Sequence, residues 1–221
     1  MTEKKDKKLN RYVLTEELYD ILKQQILSHR MAAGDKINID SLSRELGVSN
    51  IPIRESLSRL ASEGFVTLIP FKGMYVAEMS LKDIDEIFEI RSQLEDLSIR
   101  KSIAHIPPHR LEAVLEDLLS HEPGRGEVDR ETTIFKMNGD LHGTILHYAK
   151  NENLKDMVTS LIQRIHRYLN DTRCNIDMEA EKIEHEIIVR ALLTRDTEQA
   201  AEAMRNHLRN AHERLRINFE K

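Results

Sequence analysis

Only one stretch of this chain alternates like a β-hairpin. Residues 65–69 (Phe-Val-Thr-Leu-Ile) and 74–77 (Met-Tyr-Val-Ala) read as two strands, joined by Pro70-Phe71-Lys72-Gly73 with a glycine in the turn. On both sides of it, apolar residues recur at the three- and four-residue intervals of a helix, and beyond Ser80 the strand signal disappears. The chain is therefore expected to be mainly α. Its 8 Gly and 5 Pro, 5% aromatics and 32% charged residues point the same way.

Before the hairpin the periodicity predicts three short helices. Residues 1–12 are polar, carry five Lys/Arg and read as a mobile tail. From Thr15, the residues Leu18, Ile21, Leu22, Gln25 and Ile26 share one helical face, and this helix ends near His29-Arg30. A short extended piece is expected around Lys36-Ile37. Asp40 or Ser41 then caps a helix through Leu46, which Gly47 ends in a left-handed conformation. Ser49 caps a third helix, with Pro52 tolerated in its first turn and Ile53, Leu57 and Leu60 inward, to about Glu63.

After the hairpin six helices are expected. Ser80-x-x-Asp83 resembles a capping box, and it opens a helix to about His105 with Ile84, Ile87, Ile90, Leu94, Leu97 and Ile103 on its apolar side. Pro107-Pro108 breaks it. Helices follow at about 108–120, 129–149, 152–173, 178–194 and 197–216, with a loop at His121–Val128 around Pro123-Gly124-Arg125-Gly126. The expected organisation is a flexible tail (1–12), a first domain (13–77) and a helical domain (80–217), with 76–80 as the hinge between the two domains.

Some classes are excluded at this level. No run approaches the roughly 18 to 20 apolar residues of a membrane span. The N-terminal residues have no apolar stretch behind their basic ones, so they do not read as a secretory signal. One cysteine, Cys174, cannot form an internal disulfide, and a reducing cytoplasm is the expected location. Net charge is −5, distributed as +2 over residues 1–76 and −7 over the remainder. That asymmetry permits an N-terminal part that meets polyanions.

Three short helices followed by a hairpin are the outline of a winged helix-turn-helix. Its third helix would enter the major groove of DNA, presenting Asn50, Ile51, Arg54 and Ser58. Arg54 can bridge guanine O6 and N7 or grip a phosphate, and Asn50 can pair with adenine. Arg54 could equally be a surface arginine paired to Glu55 or Asp40. Arg44 and Lys36 are candidate phosphate contacts, which position the protein without reading sequence. The wing at Phe71-Lys72-Gly73 would lie near the backbone or minor groove. Residues 42–76 resemble the DNA-binding domain of the GntR superfamily of bacterial regulators, through Leu46-Gly47-Val48-Ser49, Pro52-Ile53-Arg54-Glu55-Ser56-Leu57, Leu60, Glu63-Gly64 and the Gly73 wing. The resemblance implies a DNA-contact set of Arg44, Ser49, Asn50, Ile51, Arg54, Lys72 and Gly73. This chain departs from it at Asn50, where the family usually has Arg, and at Ile51, where it has Thr. Losing that Arg alters the expected half-site preference and removes one charge from the salt-sensitive affinity.

The chain holds ten histidines, and those on the later helices invite a metal. Asn138 and His142 share a helical face, His185 sits on the next-to-last helix and His207 on the last. Imidazoles from three helices of a bundle can converge on a divalent transition metal. Spacing alone does not choose them, since His147, His166 or His212 could replace any one. Residues 80–217 resemble the FCD ligand-binding domain of the FadR subfamily, in its shorter six-helix, VanR-like branch. The matching residues are Arg91-x-x-Leu94-Glu95, His142 ahead of Asn151-x-Asn153-Leu154, Glu184-His185-x-x-Ile188-x-x-Ala191, Asp196, Ala200, Ala203-Met204 and His207-Leu208. The resemblance implies a metal, Zn or Ni first, held by His142, His185, His207 and the residue at 138. The family's Asp is Asn138 here, so the site would keep the full +2 charge and favour an anionic ligand. The alternative is a polar pocket without metal. Arg91 is a candidate for gripping a carboxylate on the effector, or else the partner of Glu95 four residues on.

The reading that unites these features is a homodimeric, ligand-responsive transcriptional regulator. It would bind double-stranded palindromic operator DNA, with repression the expected sense and a small organic acid the expected effector. A metal-dependent hydrolase using the three histidines is the alternative, although no HExxH, nucleophile motif or Gly-rich phosphate loop is present. An architectural DNA-binding protein would leave the long helical region without a purpose.

Overall fold

The computed structural model describes the backbone of residues 3–120, 127–170 and 177–219, with side chains described outside 3–13, 127–135 and 137. The chain divides into two compact units, Met1–Met79 and Ser80–Lys221.

In the first unit, α1 (Glu3–Leu27), α2 (Ile39–Leu46) and α3 (Asn50–Ser62) precede the strands β1 (Val66–Ile69) and β2 (Gly73–Val76). The strands pair antiparallel, with Val66 opposite Val76 and Ile69 opposite Gly73. The tail expected over 1–12 differs: α1 is continuous from Glu3. Its Lys, Glu, Leu and Asn residues are adequate helix formers, and neither Gly nor Pro interrupts them before the amphipathic segment. The cap of α2 is also earlier than the Asp40 or Ser41 expected, by two or three residues. Asn38 Oδ1 accepts from Ser41 N at 3.0 Å, which frees Asp40 to accept from Asn50 Nδ2 at 2.7 Å. Gly47 ends α2 at φ 67°, as its position demands. The piece around Lys36-Ile37 is extended: Ile37 N donates to Met74 O at 2.9 Å, and Lys36 bridges Tyr75.

The core of this unit joins Leu22 and Ile26 of α1 to Ile53, Leu57 and Leu60 of α3, over Phe65 and Val76 of the hairpin. All five inward helix positions are fully buried. Replacing Leu57 by Ala should lower the unfolding free energy of this unit by about 2–5 kcal/mol, measured by urea denaturation. Lys23 lies in this core because Glu63 meets its ammonium at 2.7 Å, and Tyr19 donates to the same carboxylate.

Among its described residues the second unit has six helices: α4 (Leu81–Ser102), α5 (Pro108–Ser120), α6 (Glu127–Tyr148), α7 (Glu152–Leu169), α8 (Met178–Thr194) and α9 (Thr197–Phe219). Of the loop expected at His121–Val128, Glu127 and Val128 begin α6 and the rest lies outside the described residues; the helix expected to reach 173 ends at Leu169, with Asn170 as its cap, and Cys174 lies outside the described residues. Ser80 caps α4 by accepting from Asp83 N at 3.1 Å. The Asp83 carboxylate reaches outward, accepting from Tyr168 at 2.7 Å and pairing with Arg164.

α4 packs against α6, α7 and α9, with a face that includes the expected Ile84, Ile87 and Ile103 but not Ile90 or Leu97. Ile90 and Leu97 are close to half exposed, whereas Arg91, Glu95, Ser98 and Ser102 are buried beside Ile84, Ile87 and Ile99. The inward stripe becomes polar along the helix because it borders the site described next.

Candidate functional site

Two regions gather the residues with functional chemistry. The first is the exposed side of α3 and the adjacent turn. Pro52, Ile53, Ser56, Leu57 and Leu60 are buried, which forces Ile51, Arg54 and Ser58 outward. Arg54 makes no ion pair among the described residues, so neither Glu55 nor Asp40 neutralises it. Asn50 sits in the first turn with its amide nitrogen held by Asp40. Arg44 and Ser49 are exposed at the α2–α3 corner. Lys72 is exposed at the tip of the hairpin, beside Gly73 at φ 110°.

The second region is the interior of the helical unit. His142 on α6, His185 on α8 and His207 on α9 are all buried, and one ring nitrogen from each lies within 4.8 Å of the other two. Ring centroids are 5.5 Å apart for His142–His185 and His142–His207, and 4.7 Å for His185–His207. Each imidazole has a carboxylate beside it. His142 Nδ1 bonds Glu95, His207 Nδ1 meets Glu184 Oε2 at 2.8 Å, and His185 Nε2 lies 3.8 Å from Glu181 Oε2. Two arginines brace these acids. Arg91 pairs with Glu95 at 2.7 Å, and Arg214 holds both Glu181 and Glu184 at 2.7 Å. Once these bonds are made, His142 Nε2 and both nitrogens of His185 remain buried without a hydrogen-bond partner among the described residues.

Electrostatics favour the neutral form of His142 and His185 and the charged form of Glu95 and Glu184. Burial pushes His185 well below its ordinary range, with His207 and His142 adding to the effect. Burial also lowers His142, outweighing the opposite pull of Glu95. Burial alone would raise Glu95, but His142 and Arg91 beside it overcome that and hold it at about 2. Glu184 is likewise held at about 2, where bonds from Arg214, His207 and Asn210 outweigh its partial burial. Neutral nitrogens with lone pairs and no bonded partner are what a divalent transition metal requires, and carboxylates behind the imidazoles orient such ligands. The residues present fit a metal.

A cavity of about 30 Å3 adjoins the histidines, lined in part by Arg91, Asn138, His166, Glu181, His207 and Arg214. Asn138 therefore faces the same space as His207, one helical turn before His142.

These shifts set an acid limit on stability. Burial, followed by Arg91 and His142, depresses His166 to about 4. The unfolded chain protonates this group near 6.5 while the folded chain does not, so stability falls as pH drops through that window. Glu95 and Glu184 act in the same direction lower down, because stability present above about 4.5 is lost as pH falls towards 2. Urea unfolding is expected to lose on the order of 3 kcal/mol between pH 7 and 4 through His166 alone, and H166L should flatten that part of the descent.

Residues 14–76 match the family model described as bacterial regulatory proteins, gntR family. Residues 86–210, more than half of the chain, match that of the FCD domain. The chain belongs to the GntR family of bacterial regulators, with a C-terminal FCD domain. It is 28% identical over 204 residues to the uncharacterized HTH-type transcriptional regulator YdhC of Bacillus subtilis, covering 90% of each chain. To the Nta operon transcriptional regulator of Aminobacter aminovorans it is 29% identical over 160 residues, covering 72% of this chain and 73% of that one. To the HTH-type transcriptional repressor GlaR of Escherichia coli the identity is 28% over 204 residues, covering 86% and 90%. The fold is shared with the solved structure of E. coli McbR/YncC, with a TM-score of 0.75 at 23% identity over 93% of this chain and 98% of that one. This GntR-family chain is a helix-turn-helix transcriptional regulator with an effector-binding FCD domain. The hydrolase alternative has no support among these relatives.

The fold thus brings together the three histidines named from the sequence, leaves His147 and His212 elsewhere and places His166 in the lining of the adjoining cavity. His212 pairs with Asp85 at 2.7 Å and stacks on Phe88, while His147 lies edge-on to Tyr148. The outer carboxylates and Arg214 were missed. Glu95 and Glu184 sat inside quoted motifs, but nothing in their spacing says which histidine each one faces. Glu184, adjacent to His185 in sequence, bonds His207 instead.

Proposed function

We propose that this regulator acts in the cytoplasm as a homodimeric repressor of a palindromic operator, and that its FCD domain binds a small organic acid at a divalent transition metal. His142, His185 and His207 would hold the metal, with the Asn138 carbonyl as a further oxygen donor. The observation that carries this reading is the set of three buried imidazoles with one ring nitrogen of each within 4.8 Å of the other two, and no hydrogen-bond partner among the described residues for His142 Nε2 or either His185 nitrogen. A domain that merely dimerised would have no reason to keep such groups dry. When bound, the metal supplies a Lewis-acidic centre for an anionic oxygen. Arg91 lines the adjoining cavity and can turn part of its guanidinium towards a carboxylate while Glu95 retains the rest.

On the DNA side, Arg54 and Ile51 face base edges, and Arg44, Ser49, Lys72 and Gly73 position the backbone. Asn50 can reach adenine only by surrendering its bond to Asp40. Effector and operator must change each other's affinity by the same factor.

Metal analysis of the purified chain, followed by thermal shift against a panel of organic acids with and without chelator, tests the FCD half of this reading. A metal-dependent shift with one acid supports it, and no shift with any metal overturns it. Mobility shift on upstream DNA over a salt series tests the operator half, which fails if binding shows no preference over bulk DNA.

A further inference from the structure

The tip of the hairpin carries a large side chain where its backbone geometry favours none. Lys72 N donates to Ile69 O at 3.1 Å, which closes a four-residue turn with Pro70 in its second position. The third position, Phe71, lies at φ 62°. In proline-led turns that left-handed position normally takes Gly or Asn, and a bulky residue adopts it against a steric cost. Folding offers no compensation. Phe71 is fully exposed, at 110%, and its ring makes no aromatic or cation–π contact among the described residues. A strained backbone that displays an aromatic ring to solvent points to an external partner.

The surroundings identify that partner. Lys72 is the neighbouring side chain, exposed and without an ion pair among the described residues. Within the same unit, Ile51 at the start of α3 is also exposed. A cation beside a protruding ring suits DNA, where the cation meets a phosphate and the ring meets stacked bases. Proteins that kink duplexes insert apolar wedges between base steps from the minor groove.

We propose that Phe71 is such a wedge. It enters the minor groove at the wing and partly unstacks one base step, while Lys72 grips the flanking phosphate. Pro70 and the Lys72–Ile69 bond fix the backbone that carries the ring before binding. The step that accepts it should be a flexible pyrimidine–purine step, which gives the operator a sequence preference where no hydrogen bond reads a base. This inference rests on the DNA-binding function and is independent of the metal and the effector.

The test uses the full-length chain and a duplex that it selects from random-sequence DNA. Affinity is measured by anisotropy over a salt series, and bending by end-to-end energy transfer. F71G and F71A should each weaken binding roughly tenfold or more, reduce the bend and leave the salt slope unchanged. K72A should weaken binding, lower the slope by about one phosphate contact and keep the bend. F71G should melt no lower than the parent, because glycine relaxes the turn, so its lost affinity cannot be attributed to misfolding. Wild-type affinity or an undiminished bend in F71G overturns the proposal. So does a change confined to self-association, which would assign the ring to a protein contact.

Discussion

Replacing His185 by Ala is expected to abolish binding of divalent transition metal. His185 has no solvent exposure, and neither of its ring nitrogens has a hydrogen-bond partner among the described residues. Loss of an outer carboxylate typically weakens a site 10- to 100-fold, so loss of a direct ligand should weaken it by more than about 100-fold. Metal per chain, measured after dialysis, should fall to background. The melting temperature gives a second reading. At about a thousandfold excess over the dissociation constant, metal should stabilise the parent by about 4 kcal/mol and leave the variant unmoved. In chelator the order can reverse: H185L, which replaces two unsatisfied buried nitrogens by carbon, should melt at or above the parent. A parent protein whose melting ignores every first-row divalent ion would remove the metal from this account.

Arg54→Ala should cost about 1–3 kcal/mol of operator affinity, roughly 5- to 150-fold, and relax discrimination at one base pair. The contrast with Arg59, on the same helix and equally charged, sharpens the prediction. Arg59 is committed within the fold: it pairs with Glu16 at 2.8 Å and lies over the Tyr19 ring at 3.8 Å. Arg59→Ala should therefore lower stability by a fraction of a kcal/mol to about 1 kcal/mol and change specificity little. Anisotropy titrations on matched and single-mismatch duplexes, run beside denaturation curves, separate the two. If Arg54→Ala loses affinity equally for all sequences, its role is phosphate contact alone.

The DNA-binding unit was largely legible in the sequence. Its helices are short and amphipathic, and their punctuation is local: Gly47 needs a left-handed backbone, and Ile53, Leu57 and Leu60 repeat on one face. The helical unit was legible in outline and misleading in detail. Ile90 and Leu97 read as core on periodicity, yet they lie at the surface, because a helix bordering a polar site turns Arg91, Glu95 and Ser98 inward. Periodicity assumes that the interior is oily throughout, and this interior is not. The histidines show the complementary limit. Their shared chemistry was evident, but separating His142 from His147, or His207 from His212, required knowing which of these helix faces met. That is a property of packing between residues dozens of positions apart.

The space beside the three imidazoles has a mechanical consequence. Its volume of about 30 Å3 admits little more than a single water. Any metabolite that enters must push the walls apart, and those walls belong to α4, α6, α7, α8 and α9. Occupancy and deformation therefore become one event: nothing of useful size can be sensed here without moving side chains that five helices carry.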